Sequence, residues 1–105
     1  MVLFDTVNAE AYRDKLPDCP KGLNLSECQT EDLDCFQCLY TITDFGEIYS
    51  ETDTDLPLQN GTWAFTISAW DKRKVRTGGF QWEEHEWMLI AKDRHIIAVY
   101  KLGEN

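Results

Sequence analysis

Alternation of apolar and polar positions dominates this chain and is clearest in its C-terminal half. From Thr62 to Trp70, the residues Trp63, Phe65, Ile67 and Ala69 fall on one side. A period of two marks a half-buried strand. Phe80 to Ala91 reads as a long second strand, with Trp82, Glu84 and Glu86 on one face and Glu83, His85 and Trp87 on the other. Between them, Asp71 to Gly79 (DKRKVRTGG) reads as a loop, basic at its centre and glycine-ended. Lys92-Asp93-Arg94 is a tight turn into a last strand, His95 to Leu102. His95, Ile97 and Val99 take one side of it; Ile96, Ala98, Tyr100 and Leu102 take the other. Both sides are largely apolar, which predicts a strand that is central in its sheet or covered by the N-terminal segment.

The N-terminal half is less regular. Cys35 to Thr43 alternates, with Phe36, Cys38, Tyr40 and Ile42 on one face. Asp44-Phe45-Gly46 supplies a tight turn, and Glu47 to Thr52 is the return strand. DTDLPLQNG, residues 53–61, is a polar excursion ending in an Asn-Gly turn. Thr6 to Leu16 predicts a short helix or an extended arm, capped by Thr6 or Asn8 and stopped by Pro17 and Pro20. Its apolar face (Val7, Ala11, Tyr12, Leu16) is thin, so it needs a sheet to dock on. Pro17 to Asp34 reads as a loop. The sum is a single small domain over residues 1–105 of the α+β, β-rich class. Its expected architecture is a five-stranded, mostly antiparallel meander with a short N-terminal helix or arm.

Charge changes the picture. The net charge is −9, and residues 1–60 carry 13 acids against 3 bases while residues 61–105 carry 6 against 7. Direct nucleic-acid binding needs a basic footprint, which this balance does not give. An acidic surface suits a basic partner instead. The opening MVLFDTVNAEAYRDK has neither the basic segment nor the apolar run of a secretory leader, and no stretch has the length of a membrane span. A cytoplasmic location, with no membrane partner, is the expectation.

Candidate chemistry is sparse. Cys19, Cys28, Cys35 and Cys38 end in one CxxC pair, and four thiolates can hold a zinc ion. A zinc ribbon has two such knuckles, however, and residues three apart on a strand point to opposite faces. Small packed thiols and no cofactor are therefore the favoured reading, with zinc the alternative. His85 and His95 lie in strands without a nearby nucleophile, so no triad is formed, and the expectation is a protein that is not an enzyme. The acids Asp44, Glu47, Glu51, Asp53 and Asp55 line the first hairpin and its exit, and Glu83, Glu84 and Glu86 cluster on the later strand. Together they form the candidate partner-binding acids, and Trp70 and Trp87 the candidate interface aromatics. Free strand edges also allow a homodimer.

One stretch carries a resemblance. Gln29-Thr30-Glu31-Asp32-Leu33-Asp34-Cys35, then Tyr40-Thr41-Ile42 and Asp44-Phe45-Gly46, with a closing strand pair from Glu86 to Leu102, resembles a group of small tailed-phage accessory proteins. Their pattern is QT-[KE]-DLDC, a Y-x-[IV] strand and a D-G hairpin. The turn departs from the usual acid-acid-Gly, and only Cys35 of the four cysteines belongs to the pattern. The resemblance implies a phage protein acting in the bacterial host cytoplasm. The function expected of such a protein is to bind and inhibit a basic host protein, a nuclease or nucleic-acid-binding subunit, in the manner of an anti-CRISPR or other anti-defence inhibitor. The alternatives are a zinc-binding interaction module and a phage structural or assembly factor.

Overall fold

Thr6 and Val7 are β-branched and favour extended backbone, and the expected N-terminal helix begins as a strand. In the computed structural model, which describes residues 4–32, 38–50, 61–74 and 76–103 and gives Arg73 and Lys74 by their backbone, β1 runs Asp5–Asn8. Asp5 and Val7 are buried, and the Asp5 Oδ1 accepts the Cys38 N–H at 2.8 Å. Only Glu10–Lys15 coils, as a 3-10 helix. Asn8 sits just before it and accepts the Glu10 N–H on its Oδ1 at 3.1 Å.

β2 (Cys28–Thr30) lies inside the stretch expected to be loop. β3 (Leu39–Ile42) and β4 (Ile48–Ser50) form the expected hairpin around Asp44-Phe45-Gly46, with Ile42 opposite Ile48 and Tyr40 opposite Ser50. β5 (Thr62–Lys74) and β6 (Phe80–Lys92) pair continuously from Thr62↔Lys92 to Lys74↔Phe80. The ladder therefore runs through Asp71–Lys74, which the polar sequence had assigned to a loop. Cross-strand pairing sustains it: the Lys72 ammonium lies 4.3 Å from the centre of the Phe80 ring. β7 (His95–Lys101) completes the sheet.

The order β4-β3-β1-β2-β5-β6-β7 gives seven strands, where the sequence predicted five in a meander. β1 inserts between β2 and β3 and runs parallel to β3, so only β5-β6-β7 is a meander. The fold is β-rich, a mixed, mostly antiparallel sheet curled into a half-barrel with one short helix. β7 lies at an edge, not in the centre. At one end that edge meets the other: Glu47 bridges His95, the Ile48 N–H donates to the Arg94 carbonyl (2.9 Å), and the Ile96 N–H donates to the Gly46 carbonyl (2.8 Å). Gly46 has φ +87, and a Cβ there would lie 3.4 Å from Cε1 of Tyr12. Glycine serves this seam by its conformation, and a Cβ would meet its neighbours at ordinary contact distance.

A bulge adjusts β7. Ala98 pairs with Ile90 and Ile96 with Ala91, so Ile97 has no rung of its own. The skipped residue puts Ile96 and Val99 on the core side together and leaves Ile97 59% exposed. Strict alternation had grouped Ile97 with Val99.

The core gathers Val7, Tyr40, Ile42, Ile48, Phe65, Ile67, Trp87 and Leu89 from the strands. Tyr12, Leu16, Leu23 and Leu25, from the connection between β1 and β2, join the same cluster. Arg13 locks that connection by bonding Glu10 and the carbonyls of Pro20 and Leu23. Among the described residues, no helix is long and apolar enough to cross a membrane.

Candidate functional site on the long hairpin

β2 touches β5 through one register pair, Gln29↔Ser68, and β7 leaves β6 after Trp87↔Lys101. Beyond those points the hairpin continues as a two-stranded arm. The thirteen residues of each strand span about 43 Å at the usual rise, close to the 49 Å long axis of the molecule.

The outer face of the arm carries Ser68, Trp70 and Lys72 on β5 against Glu86, Glu84 and Trp82 on β6, rung by rung. Phe80 follows at the tip. Trp70, Trp82 and Phe80 are 38%, 63% and 62% exposed. Three large aromatics held at that exposure on a paired ladder are unusual for a solvated face, because burying them is worth several kcal/mol in principle. At the base of the arm the chain turns away after Thr30, and the Asp32 carboxylate takes over the edge of β5. Its Oδ2 accepts both the Thr66 N–H and the Thr66 hydroxyl at 2.8 Å. The resulting groove has a volume of about 220 Å³ and is lined by Gln29, Glu31, Ser68, Trp70, Glu84 and Glu86.

The expected site residues divide. Trp70, Glu84 and Glu86 come together here. Asp44 and Glu47 lie by the seam, at the Lys92 end of β6, eight residues of strand or roughly 25 Å away from Glu84. Glu51, Asp53 and Asp55 lie outside the described residues. Trp87 is corrected outright: it is fully buried, and its Nε1–H donates to the Pro17 carbonyl at 2.8 Å. The sequence had placed Trp87 with Glu83 and His85 on one face, and that is where it is. Both faces carry carboxylates toward the tip, Glu83 on the inner one and Glu84 and Glu86 on the outer, so charge alone did not say which side met water. Trp82, Phe80 and Glu31 complete the site and were not chosen from the sequence. Trp82 shares its alternation with Glu84 and Glu86, and that signal was available.

Glu83 belongs to the inner face. Asp71 stands directly opposite it, and the ligating atoms of Asp71, Glu83 and His85 lie within 4.8 Å of one another. Two carboxylates across one rung repel. The His85 Nε2 sits 3.1 Å from Glu83 Oε1, and the Lys101 Nζ sits 3.0 Å from His85 Nδ1 and 4.3 Å from the centre of the Trp87 ring. Two oxygens and a nitrogen are a set that a transition metal accepts. A ligating histidine, however, normally donates its second N–H to an acceptor. Here an ammonium donates to Nδ1, which leaves the proton on Nε2, the nitrogen facing Glu83. The cluster is better suited to balancing charge at the root of the arm than to holding an ion.

Three of the four cysteines lie among the described residues. Cys28 and Cys38 are buried, Cys19 is partly buried, and all three are free thiols. They form no three-ligand cluster among the described residues, and Cys35 lies outside those residues. Burial pushes the Cys28 thiol up to about 12, with the neighbouring Cys19 and Glu10 adding to the shift, and burial also raises Cys19. In the metal-free chain burial thus favours the protonated thiol at Cys28 and Cys19. The Cys28 thiol donates to the Leu25 carbonyl at 3.5 Å.

No protein-family model matches this chain, and neither a curated protein nor a solved structure matches it.

Proposed function

We propose that this is a non-enzymatic, phage-derived interaction protein that binds a basic host protein through the outer face of the β5–β6 arm and inhibits it. The observation that carries the reading is the rung Trp70↔Glu84, with Glu86 and Trp82 on the rungs to either side. Carboxylates fixed in a row beside exposed indoles offer both halves of a protein interface. The acids steer and orient a basic surface, and the aromatics supply the apolar contact that holds it. Carboxylates held on a paired ladder also resemble a row of phosphates to a nucleic-acid-binding site, so the target class is a nuclease or a nucleic-acid-binding subunit of a bacterial defence system, with occlusion as the mode of inhibition. The host cytoplasm is the place of action.

The test is an affinity capture of the tagged chain from bacterial lysate at low and high salt, beside a Glu84→Lys/Glu86→Lys variant, read by mass spectrometry. One basic nuclease or nucleic-acid-binding subunit should be retained at low salt and shed at high salt. The reversed charges should reduce its recovery about tenfold or more. Recovery of the bait alone, of virion proteins, or of the same protein by both versions would remove the reading.

A further inference from the structure

The inner side of the arm root has one more unfilled feature. The last bond between β7 and β6 is the Leu102 N–H donating to the Glu86 carbonyl at 2.9 Å. Gly103, at φ +103, then turns the chain off the ladder. Backbone groups that face a neighbour alternate along a strand. Glu86 faces β7, so Glu84 and Trp82 turn their N–H and C=O groups to the same side. Among the described residues no strand lies beside them. A cavity of about 270 Å³ opens where β7 stops, lined by Asp18, Glu83, Glu84, Glu86, His85 and Lys101. Four carboxylates outnumber its one lysine.

Resting on the reading of a basic partner, we propose that the partner contributes an extended basic segment that adds as a strand to the free edge of β6, in line with β7, along Trp82–Glu86. The row of backbone donors and acceptors supplies affinity, and the acids on either side of the row select the sequence. Side chains of an added strand alternate. Those on the inner side reach the cavity with Asp18 and Glu83. Those on the outer side lie against Glu84, Glu86 and the Trp82 ring, where the long stem of a lysine or arginine packs on the indole with its charge at a carboxylate. A second copy of this chain is the wrong occupant. Antiparallel pairing of β6 with itself about Glu84 would set that carboxylate against its own counterpart and crowd Glu83 and Glu86 of both copies onto the adjacent rungs, in a protein of net charge −9.

The experiment uses the full chain, isotopically labelled, with amide exchange followed by NMR. The probe is an end-blocked peptide of alternating lysine and valine, about eight residues long, a typical strand length. Its controls are the same peptide N-methylated at every residue and an alternating glutamate–valine peptide. The lysine peptide should slow exchange of the Trp82 and Glu84 amides about tenfold. N-methylation should abolish this, and the glutamate peptide should bind at least about tenfold more weakly. If the lysine peptide shifts Trp70 and Glu86 without protecting those amides, or binds equally when N-methylated, strand addition is overturned while the acidic-face reading stands. Equal binding of the glutamate peptide overturns the basic class of partner and the reading beneath it. No binding of the lysine peptide overturns the strand proposal, and the lysate capture then judges the face independently.

Discussion

The two ends of this molecule solve the same problem in opposite ways. At the seam end, short strands of three or four residues curl until β4 meets β7, and the connection between β1 and β2 fills the inside with Tyr12, Leu16, Leu23 and Leu25. At the other end, two long strands leave the body with no neighbouring strand on either side among the described residues. The seam end packs Tyr12, Ile42, Ile48 and Ile96 inward, and its exposed apolar groups, Phe45 at 76% and Ile97 at 59%, stand on a turn and a bulge beside that core. The arm holds Trp70, Trp82 and Phe80 in the open, and a two-stranded ribbon has no core of its own to bury them. Packing is concentrated in the first region, and the proposed recognition face lies on the second. Trp87, with the Asp71–Glu83–His85–Lys101 cluster beside it, is the joint between them.

Breaking the joint should have the largest effect. Trp87→Ala removes a fully buried indole and its bond to the Pro17 carbonyl. Its expected cost is about 3–5 kcal/mol, read as a fall in the denaturant midpoint, with the arm losing exchange protection together with the body. If the arm stayed protected, it would be an independent unit and the joint would be misplaced. Gly46→Ala tests the seam alone. The positive φ of +87 predicts a loss of about 1–2 kcal/mol, with faster exchange at Ile48 and Ile96 and unchanged exchange at the arm. The smallest effect sharpens the filling of the body. The Leu25 N–H bonded to Glu10, with Arg13 beside it, holds the Glu10 carboxyl below its usual range. A carboxyl depressed by folding contributes stability above its unfolded value and loses it as pH falls through the folded one. Glu10→Gln should therefore cost about 0.5 kcal/mol near neutrality, given its exposure to solvent. The gap between variant and parent should close on acidification below the glutamate range; a constant gap in urea titrations across that range would contradict the assignment.

Long, high-contrast alternation was legible in the sequence. Trp63, Phe65, Ile67 and Ala69 point inward as their spacing says, and the Asp44-Phe45-Gly46 hairpin stands where its turn residues put it. Three things were not legible, each for a physical reason. β1 and β2 are too short for a period to declare itself, and nothing local announces that β1 pairs in parallel with β3. Asp71–Lys74 is polar on both faces, so alternation has no contrast there even though the ladder continues. The bulge at Ile97 shifts the phase by one residue within an apolar run, where either phase looks equally good. The candidate face was half visible. Glu84, Glu86 and Trp70 were singled out separately, as acids and as an aromatic, and the β5–β6 register brings them together; Trp87 was taken for a surface residue because it falls opposite the main apolar stripe of its strand, yet it is fully buried. Asp44 and Glu47 were joined to the same stripe because sequence proximity to other acids says nothing about which end of a curled sheet they occupy.

The seam also sets an order of events. The β3–β4 and β5–β6 hairpins join residues close in sequence, and such contacts form early. The bond from the Ile96 N–H to the Gly46 carbonyl joins residues almost half the chain apart. During synthesis the N-terminal half emerges with that carbonyl unpaired, and it stays so until the last strand has left the ribosome. Closure of the half-barrel therefore waits on β7, the last strand of this sheet to be made. Until it happens, the edge of β4 is an open template for whatever strand arrives first.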